Sequence, residues 1–265
     1  MAKVHIDENV KIKSGKAAEE ALAKESDLKY LTEDGVVKIT KERWKLAQEA
    51  ESKHWMDLGR GAADDRNHEH SQMFRGYKDL KGKTFNRAAE FGCGPFTNLR
   101  IIGQLSTIKD VVLVDPLADR YLKHRHCSYR GGQQLRLDRG QGSGIPISKL
   151  LSVPGEQAPD NLQCDLVVCI NVLEHCYDAE LFYDKLWNAC NSGAYFVFHD
   201  KLFTYEKAKK SVEDVYDAAH PLRIGKDMTM RFLNRFEKVY EHHHSLRNDM
   251  IDATQDMIYY IGRKK

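Results

Sequence analysis

No stretch of this 265-residue sequence comes near the roughly eighteen consecutive apolar residues that a membrane span needs. The opening residues, MAKVHIDENVKIK, carry no apolar signal core. Neither sign of charge dominates: 41 Lys plus Arg face 39 Asp plus Glu, for a net charge of +2. With no extended basic tract, that balance argues against nucleic acid as a constant partner. The six cysteines (Cys93, Cys127, Cys164, Cys169, Cys176 and Cys190) include no C-x-x-C pair. Two of them sit in or beside an apolar run at 165–170, where cysteine serves as a small apolar residue. Internal repeats and low-complexity segments are also absent. A soluble, reduced, cytoplasmic protein is expected, long enough for one domain or for one domain with an appendage.

The informative stretch is Arg87 to Arg100, RAAEFGCGPFTNLR. It reads as a short buried strand over Ala88 to Phe91, a tight turn at Gly92 and Gly94, and a helix start near Thr97. Such a turn leaves backbone N–H groups open to a ligand. Glu90 closes the strand, where a carboxylate suits a cation or a hydroxyl better than a phosphate. The next apolar strand, Val111 to Val114, ends in Asp115, 21 residues after Gly94. An acidic residue reaches a ribose from about that place in a nucleotide-binding βαβ unit. These features imply a nucleoside-containing cofactor at the carboxyl ends of a parallel sheet. A dinucleotide site wants G-x-G-x-x-G, and its third glycine is Thr97 here. It also brings a pyrophosphate, beside which Glu90 is unwelcome. S-adenosylmethionine brings a sulfonium, an α-amino group and a ribose diol, which suit carboxylates.

Over roughly residues 85 to 200 the chain resembles the class I S-adenosylmethionine-dependent methyltransferases. The motifs that carry the resemblance are the acid followed by G-x-G, Asp115, GQGSGIP at 140–146, and CDLVVCINVLEH. The resemblance implies S-adenosylmethionine as cofactor, with Gly92 and Gly94 against its methionine part and Glu90 on its ammonium. It implies Asp115, followed by Pro116, on the ribose diol. Gln141 and Gly142 fall in the family's loop after strand three, where an acidic residue usually meets the adenine amino group. A Gln oxygen can also accept from that group. Asn171 is expected on the adenine or acceptor side. Phe96 stands at the third glycine position of the family's motif, and Pro95 stiffens the turn.

Along the chain, a helix is expected over 16–31 and a hairpin around Asp34-Gly35. A second helix is capped by Thr40, carries Trp44, Ala47, Glu51 and Trp55 on one face, and stops at Gly59 or Gly61. A third spans about 65–80, with Met73, Phe74 and Tyr77 on its apolar side. Strand–helix alternation follows, with strands at 87–91, 111–115, weakly at 133–138, then 165–170 and 194–199. The intervening helices are 97–105, 117–126 and the one that Asp178 caps as far as Cys190. A helical insertion at 204–217, a break at His220-Pro221 and a helix at 226–236 complete the series. The pattern argues for an α/β fold with a doubly wound, mostly parallel sheet, Rossmann-like as in the methyltransferases. By resemblance, 236–244 and 256–262 form an antiparallel C-terminal strand pair. Residues 1–82 have no place in the sheet and are expected as a helical cap on the active-site face of the domain at 83–265.

Methyl transfer needs alignment of acceptor, methyl and sulfur, and a proton acceptor when the nucleophile is a hydroxyl. His175, His199 and His220 all follow strand ends, where the acceptor lies. His199, whose ring Asp200 could orient, is the expected general base, with His175 as the substitute. His68, His220 and Arg223 are expected around the substrate. His199-Asp200 with His175 or His220 matches a facial triad in residue type. His124-x-His126-Cys127 and His242-His243-His244 have metal-like composition too, yet strand alternation keeps the triplet from converging. No metal is expected. The reading is methyl transfer to oxygen or nitrogen of a small molecule or glycan-like metabolite, without a membrane or nucleic-acid partner. The rivals are an RNA or protein methyltransferase and a non-catalytic cofactor-binding module.

Overall fold

The computed structural model describes residues 16–56, 64–137, 144–214, 217–248 and 253–265. The N-terminal part holds helix α1 (Lys16–Lys29), a hairpin of β1 (Leu31–Thr32) and β2 (Gly35–Val36), and helix α2 (Lys41–Met56). Thr40 caps α2 as expected, its Oγ1 accepting from the Arg43 amide at 3.1 Å. The stop expected at Gly59 or Gly61 lies outside the described residues. The helix expected over 65–80 is two pieces: α3 (Asn67–Met73), then a 3₁₀ segment at Arg75–Leu80. Arg75, Gly76 and Tyr77 all adopt positive φ (56°, 67° and 52°), which no α-helix can absorb. The kink turns Phe74 and Tyr77 inward together, their rings stacked 5.1 Å apart.

The remaining elements are β3 (Thr84–Phe85), β4 (Ala88–Phe91), α4 (Leu99–Ile102), β5 (Thr107–Ile108), β6 (Val111–Val114), α5 (Ala118–Tyr121) and β7 (Gln134–Leu135). After them come β8 (Ile145–Leu151), β9 (Cys164–Ile170), α6 (Ala179–Ala189), β10 (Cys190–Leu202), α7 (Tyr205–Asp214) and β11 (Arg223–Ile224). Helix α8 (Lys226–Leu233) and strands β12 (Phe236–Asn248) and β13 (Ala253–Lys264) close the fold. The main sheet runs β12-β13-β10-β9-β4-β6-β8-β7. The five strands from β10 to β8 are mutually parallel, β13 and β7 run antiparallel to them, and β12, antiparallel to β13, runs again in their direction at the edge. The chain winds outward from β4 through β6 to β8, then returns to lay β9 against the other side of β4. That reversal opens the crevice of a doubly wound sheet at the carboxyl ends of β4 and β9.

The third parallel strand is β8, not the weak candidate at 133–138, which supplies only the short edge strand β7. β8 escapes detection because it lies near the sheet edge and six of its seven residues, all but Ile145, are exposed or half-buried without a clean alternation. The GQGSGIP stretch therefore leads into the third strand, which its last two residues, Ile145 and Pro146, open. The loop that follows that strand is residues 152–157.

Residues alternate between two cores, one on each face of the sheet. Phe91, Val167, Phe196 and Phe198 pack toward α6 and α8. Val111, Val168, Val197 and Tyr259 pack toward α4 and the Phe74–Tyr77 kink. This parity governs every strand-end side chain in the site. All six cysteines are buried and unpaired. No helix of the described residues is long and apolar enough to cross a membrane.

Candidate active site

A cavity of about 490 Å³ opens at the crevice between the carboxyl ends of β4 and β9. Gly92, Gly94, Asp115, Pro116 and Asn171 line it from the sheet, and Trp44, Gln48, Glu51 and Trp55 line it from α2. Trp44 Nε1 and Gln48 Nε2 fasten α2 there by donating to the His175 carbonyl oxygen at 3.0 and 3.2 Å.

The glycine turn does two different jobs. Gly92 has φ +66°, and a Cβ on it would meet Val172 Cγ2 at 2.4 Å, so it is required for packing of the turn itself. Gly94 has φ +50°, and a Cβ on it would meet no protein atom within 4 Å. Its open face belongs to the cavity. Asp115 lies directly beside it, Oδ2 accepting from the Gly94 amide at 3.0 Å and Oδ1 from the Leu117 amide at 2.8 Å. Burial pushes its carboxyl up to about 7 despite those two bonds. Asn171 adopts φ +58°, a conformation Asn tolerates better than most residues, as β9 turns away over the cavity.

Glu90 does not face the cavity. Its parity within β4 sends it to the α4 side, where Oε1 accepts from the Asn98 amide at 2.9 Å and from Asn98 Nδ2 at 3.0 Å. Oε2 accepts from the Leu99 amide at 3.1 Å and from the Thr97 hydroxyl. It caps the helix after the glycine turn, so the expectation that it holds an ammonium is corrected. Gln141 and Gly142 lie outside the described residues. The acidic residue of the loop after the third strand is Glu156, which the sequence reading missed because it placed that strand too early. Its Oε1 accepts from the Tyr177 and Asp178 amides at 2.7 and 3.2 Å. Glu156 is part of the cavity wall, and its Oε2 is buried without a hydrogen-bond partner.

Of the three histidines expected at the strand ends, His175 and His220 line the cavity, whereas His199 does not; His54 and His70 line it as well. His199 shares the parity of Val197 and is 3% exposed. Its ring stacks on Tyr259 at 4.0 Å, and Nδ1 donates to the Ile258 carbonyl at 2.9 Å. Burial drives it down to about 3. Asp200 points to the opposite face and cannot orient that ring. Its Oδ2 accepts from the Val172 and Leu173 amides at 3.0 and 2.8 Å, and its Oδ1 from the Lys201 amide at 2.8 Å. The general base expected at His199 is therefore an interior residue.

His68 is exposed on α3 and is not part of the cavity wall, while His70, two residues on, is. Arg223 is 3% exposed and also away from the cavity. It donates to the His220 carbonyl and to Ser211 Oγ, and it lies 3.8 Å from Asp27, which Arg43 grips with two nitrogens at 3.0 and 3.2 Å. That network holds α1, α2 and the segment before β11 together, so Arg223 is structural.

Two carboxylates to which the sequence reading gives no role in the site, Glu51 and Asp217, also line the wall. Glu51 Oε1 accepts from Trp55 Nε1 at 2.5 Å, and its Oε2 lies 3.6 Å from His175 Nδ1. Asp217 Oδ2 is 2.6 Å from His220 Nδ1. The rings of His175 and His220 are 4.5 Å apart. The D-x-x-H spacing of Asp217 and His220 was the available signal. Among the described residues no group of three His, Cys, Asp or Glu side chains could hold a metal ion.

No protein-family model matches the sequence, and no curated protein matches it. Solved structures do match in shape. The N-methyltransferase NodS of Bradyrhizobium japonicum, in complex with S-adenosylhomocysteine, is 14% identical over 83% of this chain and 98% of its own, with a TM-score of 0.56. A SAM-dependent methyltransferase of Leishmania major is 18% identical over 83% of this chain and 81% of its own, at 0.50. One from Methanosarcina mazei is 12% identical over 72% of this chain and 96% of its own, at 0.50. The chain has the Rossmann-like fold of the class I S-adenosylmethionine-dependent methyltransferases.

Proposed function

We propose that the protein is an S-adenosylmethionine-dependent methyltransferase acting on a small molecule that is neutral or positively charged. The observation that carries this reading is the juxtaposition of Asp115 with the open face of Gly94 at the reversal point of the sheet. When bound, S-adenosylmethionine supplies a methyl group made electrophilic by its sulfonium. Asp115 accepts hydrogen bonds from the ribose diol, and the Gly94 backbone accommodates the methionine part. Glu156, the carboxylate that the loop after the third strand brings to the cavity wall, is the candidate acceptor for the adenine amino group. Residues 16–56 and 64–82 act as the cap that excludes water and builds the acceptor wall from Trp44 and Trp55.

Charge argues for the substrate class. Five carboxylates line the cavity (Glu51, Asp64, Asp115, Glu156 and Asp217), against Arg66 as the one Arg or Lys among the described lining residues. Arg66 is itself 3.2 Å from Asp64. Phosphate-bearing acceptors, nucleic acid included, meet repulsion there. Calorimetry with S-adenosylhomocysteine tests the cofactor assignment, and absence of binding by the folded protein refutes it. Transfer of labelled methyl to a panel of alcohols, phenols, amino sugars and amines, with phosphorylated and carboxylated analogues as controls, tests the acceptor class. Preferential methylation of the anionic controls refutes that part.

A further inference from the structure

The far end of the cavity holds a row of four titratable side chains, Glu51, His175, His220 and Asp217, assembled from α2, the turn after β9 and the segment after α7. The proton positions in the row follow from the partners. The Ala219 carbonyl can only accept, so His175 Nδ1, 3.2 Å away, carries the hydrogen. The Asp217 carboxylate likewise takes the Nδ1 hydrogen of His220 at 2.6 Å. In both neutral rings the lone pair therefore sits on Nε2.

The two rings are not equivalent. His175 is held down chiefly by burial, with Glu51 opposing and the neighbouring His220 adding to the effect. For His220 burial also acts downward, but the bond to Asp217 and the charges of Glu174 and Asp217 outweigh it and Lys201, and the ring is raised above its ordinary value. Correspondingly, burial of Asp217 is outweighed by the His220 hydrogen bond and charge, and its carboxyl lies well below the usual range. Glu174 is spoken for by Lys201 at 2.6 Å. Of the two imidazoles, His220 is the one whose protonated form the surroundings stabilise.

Resting on the methyltransferase reading, we propose that His220, oriented by Asp217, is the general base of this site and that the acceptor is a hydroxyl compound. The acceptor oxygen gives its proton to His220 Nε2 as it forms its bond to the methyl carbon. The bond from that carbon to sulfur breaks with both electrons remaining on sulfur, so the positive charge of the sulfonium disappears as the imidazolium appears. Asp217 is the positioning residue: it fixes the ring and stabilises the imidazolium. Neutral His175, fastened through its backbone by Trp44 and Gln48, flanks the base without competing for the proton.

The test has two arms on the full chain. In the complex with S-adenosylhomocysteine, NMR titration of carbon-labelled histidines should show His220 titrating above His175 and above 6.5. In Asp217→Asn its midpoint should move down by about 1 to 3 pH units. A wild-type midpoint at or below 6.5, or one that Asp217→Asn leaves in place, overturns the proposal whether or not an acceptor is in hand. With an acceptor from the panel, His220→Gln should lower kcat by about 10²- to 10⁴-fold. KM and S-adenosylhomocysteine affinity should stay unchanged, and the acid limb of the Asp217→Asn pH profile should move to lower pH. Full turnover in His220→Gln, or methylation confined to amines, overturns it equally. Loss of S-adenosylhomocysteine binding by the wild type refutes the cofactor reading instead, a result the titration of the free protein tells apart.

Discussion

Two histidine–aspartate pairs stand near the end of β10, alike in composition and opposite in use. His199 and Asp200 are adjacent in the sequence, and their side chains leave the strand on opposite faces. One stacks on Tyr259 and the other caps the turn at Val172 and Leu173. Asp217 and His220 are three residues apart in an irregular segment, and their side chains meet at 2.6 Å on the cavity wall. Adjacency within a strand separates side chains, whereas a spacing of three in a turn brings them together. A histidine–acid pair in a sequence is therefore a candidate dyad only once the backbone between the two is known.

The comparison is bounded by the proposed cofactor end, where the largest effect is expected. Gly94→Val should take S-adenosylhomocysteine binding below detection, because its side chain would occupy the open face that no protein atom fills. Variants of either pair should leave that binding intact. If Gly94→Val binds normally, the cavity is not the cofactor site and the contrast between the pairs loses its meaning.

Removing Asp200 should be the most damaging change to stability. Asp200→Ala leaves three backbone N–H groups without their acceptor, which should cost about 2–4 kcal/mol in urea unfolding. Asp217→Asn, isosteric and at a half-buried site, should cost less than Asp200→Ala at a pH above the His220 midpoint, where the ring is neutral, while moving the His220 titration. Equal destabilisation by the two variants would erase the distinction between a structural and a functional aspartate.

Asp115→Ala should weaken S-adenosylhomocysteine by about 1.5–3 kcal/mol, the range for hydrogen bonds to a charged group. The same carboxylate sets a pH dependence. Burial pushes its carboxyl up to about 7, and on the proposed assignment the ribose diol donates to the ionised form, so affinity should rise with pH. The rise should be about tenfold between pH 6 and pH 8, and Asp115→Asn should flatten it. A flat wild-type profile means that the ionised carboxylate does not carry the binding.

The smallest effect is expected at His199. His199→Phe loses the bond to the Ile258 carbonyl, about 1 kcal/mol of stability, and should leave turnover within about a factor of two. A loss of 10²-fold or more, as for a general base, would return the catalytic role to the interior histidine.

The glycine turn and the acid beside it were legible because they are local. Ala88 to Gly94 and Val111 to Asp115 are each a strand and its tip, and alternation plus glycine chemistry place them without knowledge of the rest. Glu90 was misread even so, because strand parity alone does not say whether a helix N-terminus waits on that face. Glu156 was missed because β8, lying near the sheet edge, lacks the apolar run that marks a central strand. By itself the sequence determined the alternation of strands and helices, the glycine turn and the acid at the tip of the second strand, all set by contacts within about thirty residues. Only the tertiary structure decided that Glu51, His175, His220 and Asp217 share one wall. They come from segments up to 169 residues apart, since only packing of α2 over the sheet and the return of the chain after α7 bring them together.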